Sequence, residues 1–192
     1  MKRLLLLCLT IVVYLGFMWA GAPETDFGKP QYTSDNKLLR PENYREWVYL
    51  SSGLGMNYSP TATDHQMFTN VFVPQWVYAD FLKSGKWPEK TVFVVEEREE
   101  ETKGSIVKGG HYQSGLMGIG VEVKDARFPD KWAYFNFDES SKSAQANPKE
   151  ACWQCHEDHA AVEHSFVQFY PTLKPVAKKF GTYRQAVENT VP

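Results

Sequence analysis

The string Cys152-Trp153-Gln154-Cys155-His156 constrains this chain more than any other feature. Two cysteines three residues apart fall on one face of a helix, and the histidine after the second is four residues from the first. C-x-x-C-H is the c-type haem attachment signature: both thiols add to the vinyl groups of one porphyrin, and the imidazole reaches the iron from the same side. The other chemistries open to a C-x-x-C pair are a disulfide, a redox dithiol and half of a zinc site. Structural zinc needs four ligands, and the chain has no second C-x-x-C. A thioredoxin-like dithiol is expected beside a βαβ pattern, which the sequence does not show. The expectation is one haem c, covalently held by Cys152 and Cys155, with His156 as the iron ligand.

The third cysteine, Cys8, lies in the apolar run from Leu4 to Ala20, between Lys2-Arg3 and the small-x-small pattern Ala20-Gly21-Ala22. That arrangement reads as a secretory signal peptide over residues 1–22, which places the remainder in the periplasm. The alternative is a membrane anchor over residues 4–20, a run slightly short of a span of about 20 residues. Leu7 is bulky where a lipid-attachment signal usually has a small residue, so Cys8 is expected to leave with the signal. The formal charge of −2 then becomes −4 with the loss of Lys2 and Arg3. Such a balance lacks the basic surplus of a nucleic-acid binder. With 43% hydrophobic and 23% charged residues, the 192-residue chain has the make-up of one globular domain with a sizeable core.

Residues 23–40 are polar, with Gly, Pro, Asp and Asn, and are expected to form a flexible arm before a domain over 41–192. Residues 41–48 read as a short helix with proline at its start. SSGLGMNYSPTATD reads as loop, MFTNVFV as a strand and residues 74–83 as a second helix. TVFVVEEREE, GLMGIGVEVKDA and KWAYFNFD read as three further strands, the last two separated by a turn around Phe128-Pro129-Asp130. A helix is expected from Pro148 to about Phe169, carrying the C-x-x-C-H motif. The fold class is therefore α+β, a mainly antiparallel sheet of about four strands with packed helices.

His159 and His164 lie just beyond the motif and belong to the same side of the haem as His156. No methionine follows the motif; Met56, Met67, Met117, His65 and His111 all precede it. A small electron-transfer cytochrome usually has its motif near the N-terminus and a methionine ligand downstream. The C-terminal motif here suits a five-coordinate haem with an open distal side. A sixth ligand would have to come from a residue such as Met117 or His111.

The pieces PENYREW, VFVPQWVYADFLKSGKWPEKTVFVVEE, GLMGIGVEVKDARF, KWAYFNF and CWQCH with SFVQFYPTLK behind it run in order over most of residues 41–175. In them the chain resembles the cytochrome P-460 family and the related cytochromes c′-beta. That resemblance implies a homodimer whose subunits each present an antiparallel sheet to the distal side of one c-type haem. It also implies two functional positions that this chain fills differently. The family's lysine, joined covalently to the haem edge, aligns with Val95. Its distal glutamate, which handles protons in hydroxylamine oxidation, aligns with Gly120. Glu122 shares a strand face with Gly120 and is the candidate substitute. Lys83, Lys86, Lys90, Lys103 and Lys108 fall in turns or at helix ends. In this alignment Phe93 and Val95 both face the haem, an apolar lid suited to small neutral ligands such as NO and CO. Arg127, in the KDARF turn, is placed to meet a haem propionate or a distal ligand.

Three functions follow as expectations. The first is a periplasmic five-coordinate haem c protein that binds NO or a similar gas in an apolar pocket. The second is a haem oxidoreductase acting on hydroxylamine or NO, with a lysine cross-link from another position and Glu122 as distal carboxylate. The third is an electron-transfer cytochrome with a redox partner protein.

Overall fold

The computed structural model describes residues 27–56 and 66–188. The signal-peptide reading of residues 1–22 and His65 lie outside them. The fold is α+β, built on a five-stranded antiparallel sheet in the strict sequence order β2-β3-β4-β5-β6. The strands are β2 (Val48–Leu54), β3 (Met67–Val73), β4 (Val92–Glu101), β5 (Tyr112–Lys124) and β6 (Trp132–Phe137). A two-residue pair, β1 (Leu38–Leu39) with β7 (Ser143–Ala144), stands beside it. Among the described residues three α-helices pack with these strands: α1 (Gln75–Ser84), α2 (Lys149–His159) and α3 (Lys174–Phe180). Among the described residues no helix is long and apolar enough to cross a membrane.

Alternation along β4 divides the core in two. Val92 and Val94 point to one face, where Ile119, Val121, Val123, Phe135 and Phe137 join them beneath Leu38, Tyr44 and Trp47. Phe93 points to the other face, packed with Val77, Phe81, Trp87, Trp132, Tyr170 and Leu173. These are the two sides of a period-2 strand, each buried under its own cover. The N-terminal segment is therefore a lid on the first face. Leu38 is wholly buried, and the Tyr32 hydroxyl donates to Asp125 Oδ2 at 3.1 Å.

Local structure departs from the sequence expectation at four places. Residues 41–48 form only a 3-10 turn at Tyr44–Glu46, because the chain enters strand β2 at Val48. That strand, VYLSSGL, runs through residues read as loop; Ser51, Ser52 and Gly53 are the backbone partners of Val71, Asn70 and Thr69 of β3. The motif helix ends at His159 rather than near Phe169, since Ala160 is extended and an antiparallel bridge joins Val162 to Ser165. Helix α3 was not expected: Pro175 lies in its first turn, where proline is tolerated, and Gly181 closes it in the left-handed region at φ 67°.

Candidate functional site

Helix α2 places Cys152, Cys155 and His156 on neighbouring turns, none of them fully buried. None of the helix's eleven side chains is buried, although it lies against β6. The reason is a cavity of about 750 Å³ between the helix and the sheet. Cys152 and His156 line it directly, and Cys155 is half-buried on the turn between them. Both cysteines are free thiols. Burial, with Asp158 and Cys152 nearby, pushes the Cys155 thiol up, so it is neutral at neutral pH.

His156 is held from several sides. Its Nδ1 lies 2.7 Å from the carbonyl oxygen of His164. The ring sits between Tyr134, at 4.4 Å between centroids, and Phe166, at 4.6 Å. A carbonyl only accepts, so Nδ1 carries a proton and Nε2 is the ring nitrogen directed at Glu122 in the cavity wall. This is the usual way a backbone carbonyl fixes the tautomer of a metal-ligating histidine. His164 itself is buried between Trp132 and Trp153, with Nε2 3.1 Å from Glu157. Burial keeps its ring pKa below the usual value. His159, on the last turn of α2, also lines the cavity.

The opposite wall is the sheet, whose register sets three transverse rows. Ser51, Val71, Val95, Gly120 and Asn136 are paired in turn across all five strands. To one side of this row run Gly53, Thr69, Glu97 and Gly118. To the other side run Phe93, Glu122 and Tyr134. A Cβ at Gly120 would meet only Val95, at an ordinary 3.7 Å, so neither strain nor crowding requires glycine there. The missing side chain simply leaves space in the middle of the wall.

The expected distal residues sort unevenly. Val95, Gly120 and Glu122 line the cavity. Phe93 shares their face but is wholly buried beyond the cavity's end, with its ring 4.7 Å from Trp87 and 6.4 Å from Tyr170. The apolar lid expected from Phe93 and Val95 is thus halved, and the position paired with Phe93 on β5 is the carboxyl of Glu122. Arg127 does not reach the cavity: its guanidinium lies 3.6 Å above the Tyr32 ring and pairs with Asp125. Met117 is exposed and the His111 ring pairs with Glu100, so neither candidate sixth ligand lines the cavity. No lysine or arginine lines it among the described residues; Lys83 and Lys90 are paired elsewhere with Asp80 and Asp125.

Glu122 is the most distinctive group in the wall. It is 9% exposed, its Oε1 lies 3.8 Å from His156 Nε2, and its Oε2 is buried without a hydrogen-bond partner. Burial raises its pKa, partly offset by His156. Sequence reasoning missed Tyr134, Phe166, Glu97 and the His164 carbonyl. The strand reading KWAYFNF would have paired Tyr134 with Glu122 had the register been known. A backbone carbonyl leaves no mark in a sequence.

These observations fit a haem. Two free thiols and an oriented imidazole stand on one side of a large cavity, and an unpartnered carboxyl and a recess at Gly120 stand on the other. A haem in this cavity would be held by Cys152, Cys155 and His156. A search among curated proteins found no match. The cytochrome P460 family model matches residues 41–167, which include the sheet, α1 and the whole of α2. The chain belongs to the cytochrome P460 family, and that membership implies a haem cofactor.

Proposed function

We propose that this is an exported haem c protein, with one haem joined to Cys152 and Cys155 and ligated by His156, that binds a small neutral ligand such as NO or CO. The row Val71-Val95-Gly120 carries this reading: the centre of the wall facing the motif helix is apolar and recessed. A haem held there by Cys152, Cys155 and His156 would supply an iron able to bind a diatomic ligand. The His164 carbonyl keeps the proton on Nδ1 of His156, so Nε2 remains a ligand. Tyr134 and Phe166 hold the imidazole plane. Val71 and Val95 exclude water and donate no hydrogen bond, which favours a neutral ligand over one that develops negative charge. The family resemblance makes the protein a homodimer in this reading, and the signal-peptide reading of residues 1–22 puts it in the periplasm.

A second reading, a haem oxidoreductase acting on hydroxylamine or NO, is favoured by one observation. Glu122 brings a buried carboxyl of raised pKa into the cavity, able to hold a proton close to His156. That reading also asks for a lysine cross-link, and no described lysine lines the cavity.

Optical spectra of the ferric and ferrous protein, with and without NO and CO, are read beside the intact mass. One covalent haem without a further cross-link, together with CO and NO binding, is the expected result. A cross-linked adduct with the strongly red-shifted ferrous band of cytochromes P-460 would replace the first reading by the second. A six-coordinate low-spin spectrum indifferent to CO would overturn both in favour of an electron carrier.

A further inference from the structure

Glu122 and His156 face each other across the cavity. His156 Nδ1 is engaged with the His164 carbonyl, which leaves Nε2 as the ring nitrogen directed at Glu122. It faces Glu122 Oε1 at 3.8 Å, beyond hydrogen-bonding distance. Glu122 Oε2 has no partner, and no described lysine or arginine lines the cavity. The carboxyl is not carried on a loop that could turn away. It stands on β5, the second strand in from the β6 edge, between Phe93 on β4 and Tyr134 on β6. A buried carboxyl oxygen without a hydrogen-bond partner is unfavourable unless a bound group completes it. Metal–imidazole and metal–carboxylate bonds are each about 2 Å, so a single ion spans about 4 Å between nitrogen and oxygen.

The geometry points to Glu122 as a second protein ligand to the oxidised haem iron, beside His156. The inference rests on the haem reading above and deepens it, by naming what holds the iron before an external ligand arrives. An anionic oxygen is a hard donor and prefers the ferric to the ferrous ion. Glu122 is therefore bound in the oxidised protein and released in the reduced one. One electron from a one-electron donor goes to the iron, and the iron–oxygen bond breaks with its electron pair remaining on the carboxylate. NO and CO then meet an open position in the ferrous state, while ligands to the ferric state must compete with the protein's own side chain.

The test uses the holoprotein, whose intact mass first establishes the covalent haem. A mass without it overturns the haem reading and this one together, whereas the remaining outcomes bear on Glu122 alone. In water enriched in oxygen-17, the ferric electron paramagnetic resonance signal of the wild type is expected to remain unbroadened, because the oxygen donor comes from the protein. In Glu122→Gln, imidazole is expected to bind the ferric form about tenfold tighter than in the wild type. Oxygen-17 broadening in the wild type, which needs no variant to fold, would overturn the assignment. So would imidazole affinities of wild type and Glu122→Gln within about twofold of each other.

Discussion

Glu96 and Glu97 are neighbours on β4 and point to opposite faces of the same sheet, and their surroundings differ completely. Glu96 is 2% exposed beneath the N-terminal lid, where it accepts from the Tyr44 hydroxyl at 2.9 Å, from Arg45 Nε at 3.2 Å and from Arg98 Nε. Burial alone would push its carboxyl up, but Arg98, Tyr44 and Arg45 outweigh it and hold the pKa below the usual value. Glu97 lines the cavity, has no hydrogen-bond or ion-pair partner among the described residues, and is raised by burial. Glu122, on the same face as Glu97, is also raised and has a buried oxygen without a partner. One face satisfies its buried charge within the protein. The other leaves carboxyls and an imidazole directed at a space, as expected of a surface completed by a bound group.

The largest test of this contrast removes the attachment chemistry. Cys152→Ala with Cys155→Ala is expected to abolish the covalent haem adduct in the intact mass. The lid face should keep its slow amide hydrogen exchange, because none of its contacts passes through α2. General loss of protection across both faces would show that the two faces are not independent.

Next in size is a comparison along one strand. Phe93→Ala opens the closed end of the cavity face and is expected to cost about 3–5 kcal/mol in urea unfolding. Val95→Ala, two residues on but bordering a space that already exists, is expected to cost about 1 kcal/mol or less. Equal costs would mean that the cavity wall is packed as tightly as the core.

A smaller effect is expected from Glu96→Gln, which weakens charge-assisted bonds and should cost about 1–3 kcal/mol at neutral pH. The sign follows from its depressed pKa. Its contribution is fully present above the unfolded-state value of about 4.3 and is lost as pH falls through the lower folded value. Asp125, held down against its burial by Lys90, the Arg127 backbone and Tyr32, loses its contribution in the same direction. The variant's stability should therefore approach the wild type's in acid, by urea titration at a series of pH values.

The smallest effect has the opposite sign. The raised pKa of Glu97 makes its charge a cost at neutral pH, so Glu97→Gln is expected to stabilise slightly, with the gain vanishing below about pH 4. Destabilisation by this variant would mean that Glu97 has a partner in the holoprotein, and the contrast between neighbours would disappear.

How much of this was legible beforehand varies with the kind of signal. The strands β4, β5 and β6 and helix α1 were readable because their β-branched and aromatic residues, or their proline start and glycine stop, agree with the final state. Strand β2 was hidden because Ser51, Ser52 and Gly53 have loop character, and only pairing with β3 makes them a strand. Alternation put Phe93 and Val95 on one face, but it carries no information about where along that face the core ends and the cavity begins.

The Cys152, Cys155 and His156 cluster was determined by the sequence itself. Two cysteines and a histidine at those spacings on a helix meet on one side whatever surrounds them, because helix geometry is local. The opposite wall was decided by tertiary structure alone. Which residue confronts His156 depends on the register between β4, β5 and β6, and a shift of one position would turn Glu122 toward the lid and Val121 toward the cavity. The tautomer of His156 depends on a carbonyl eight residues further on, which approaches only because α2 stops at His159 and the chain turns back. Register and backbone reversal come from long-range packing, so residue spacing could propose Glu122 but not aim it.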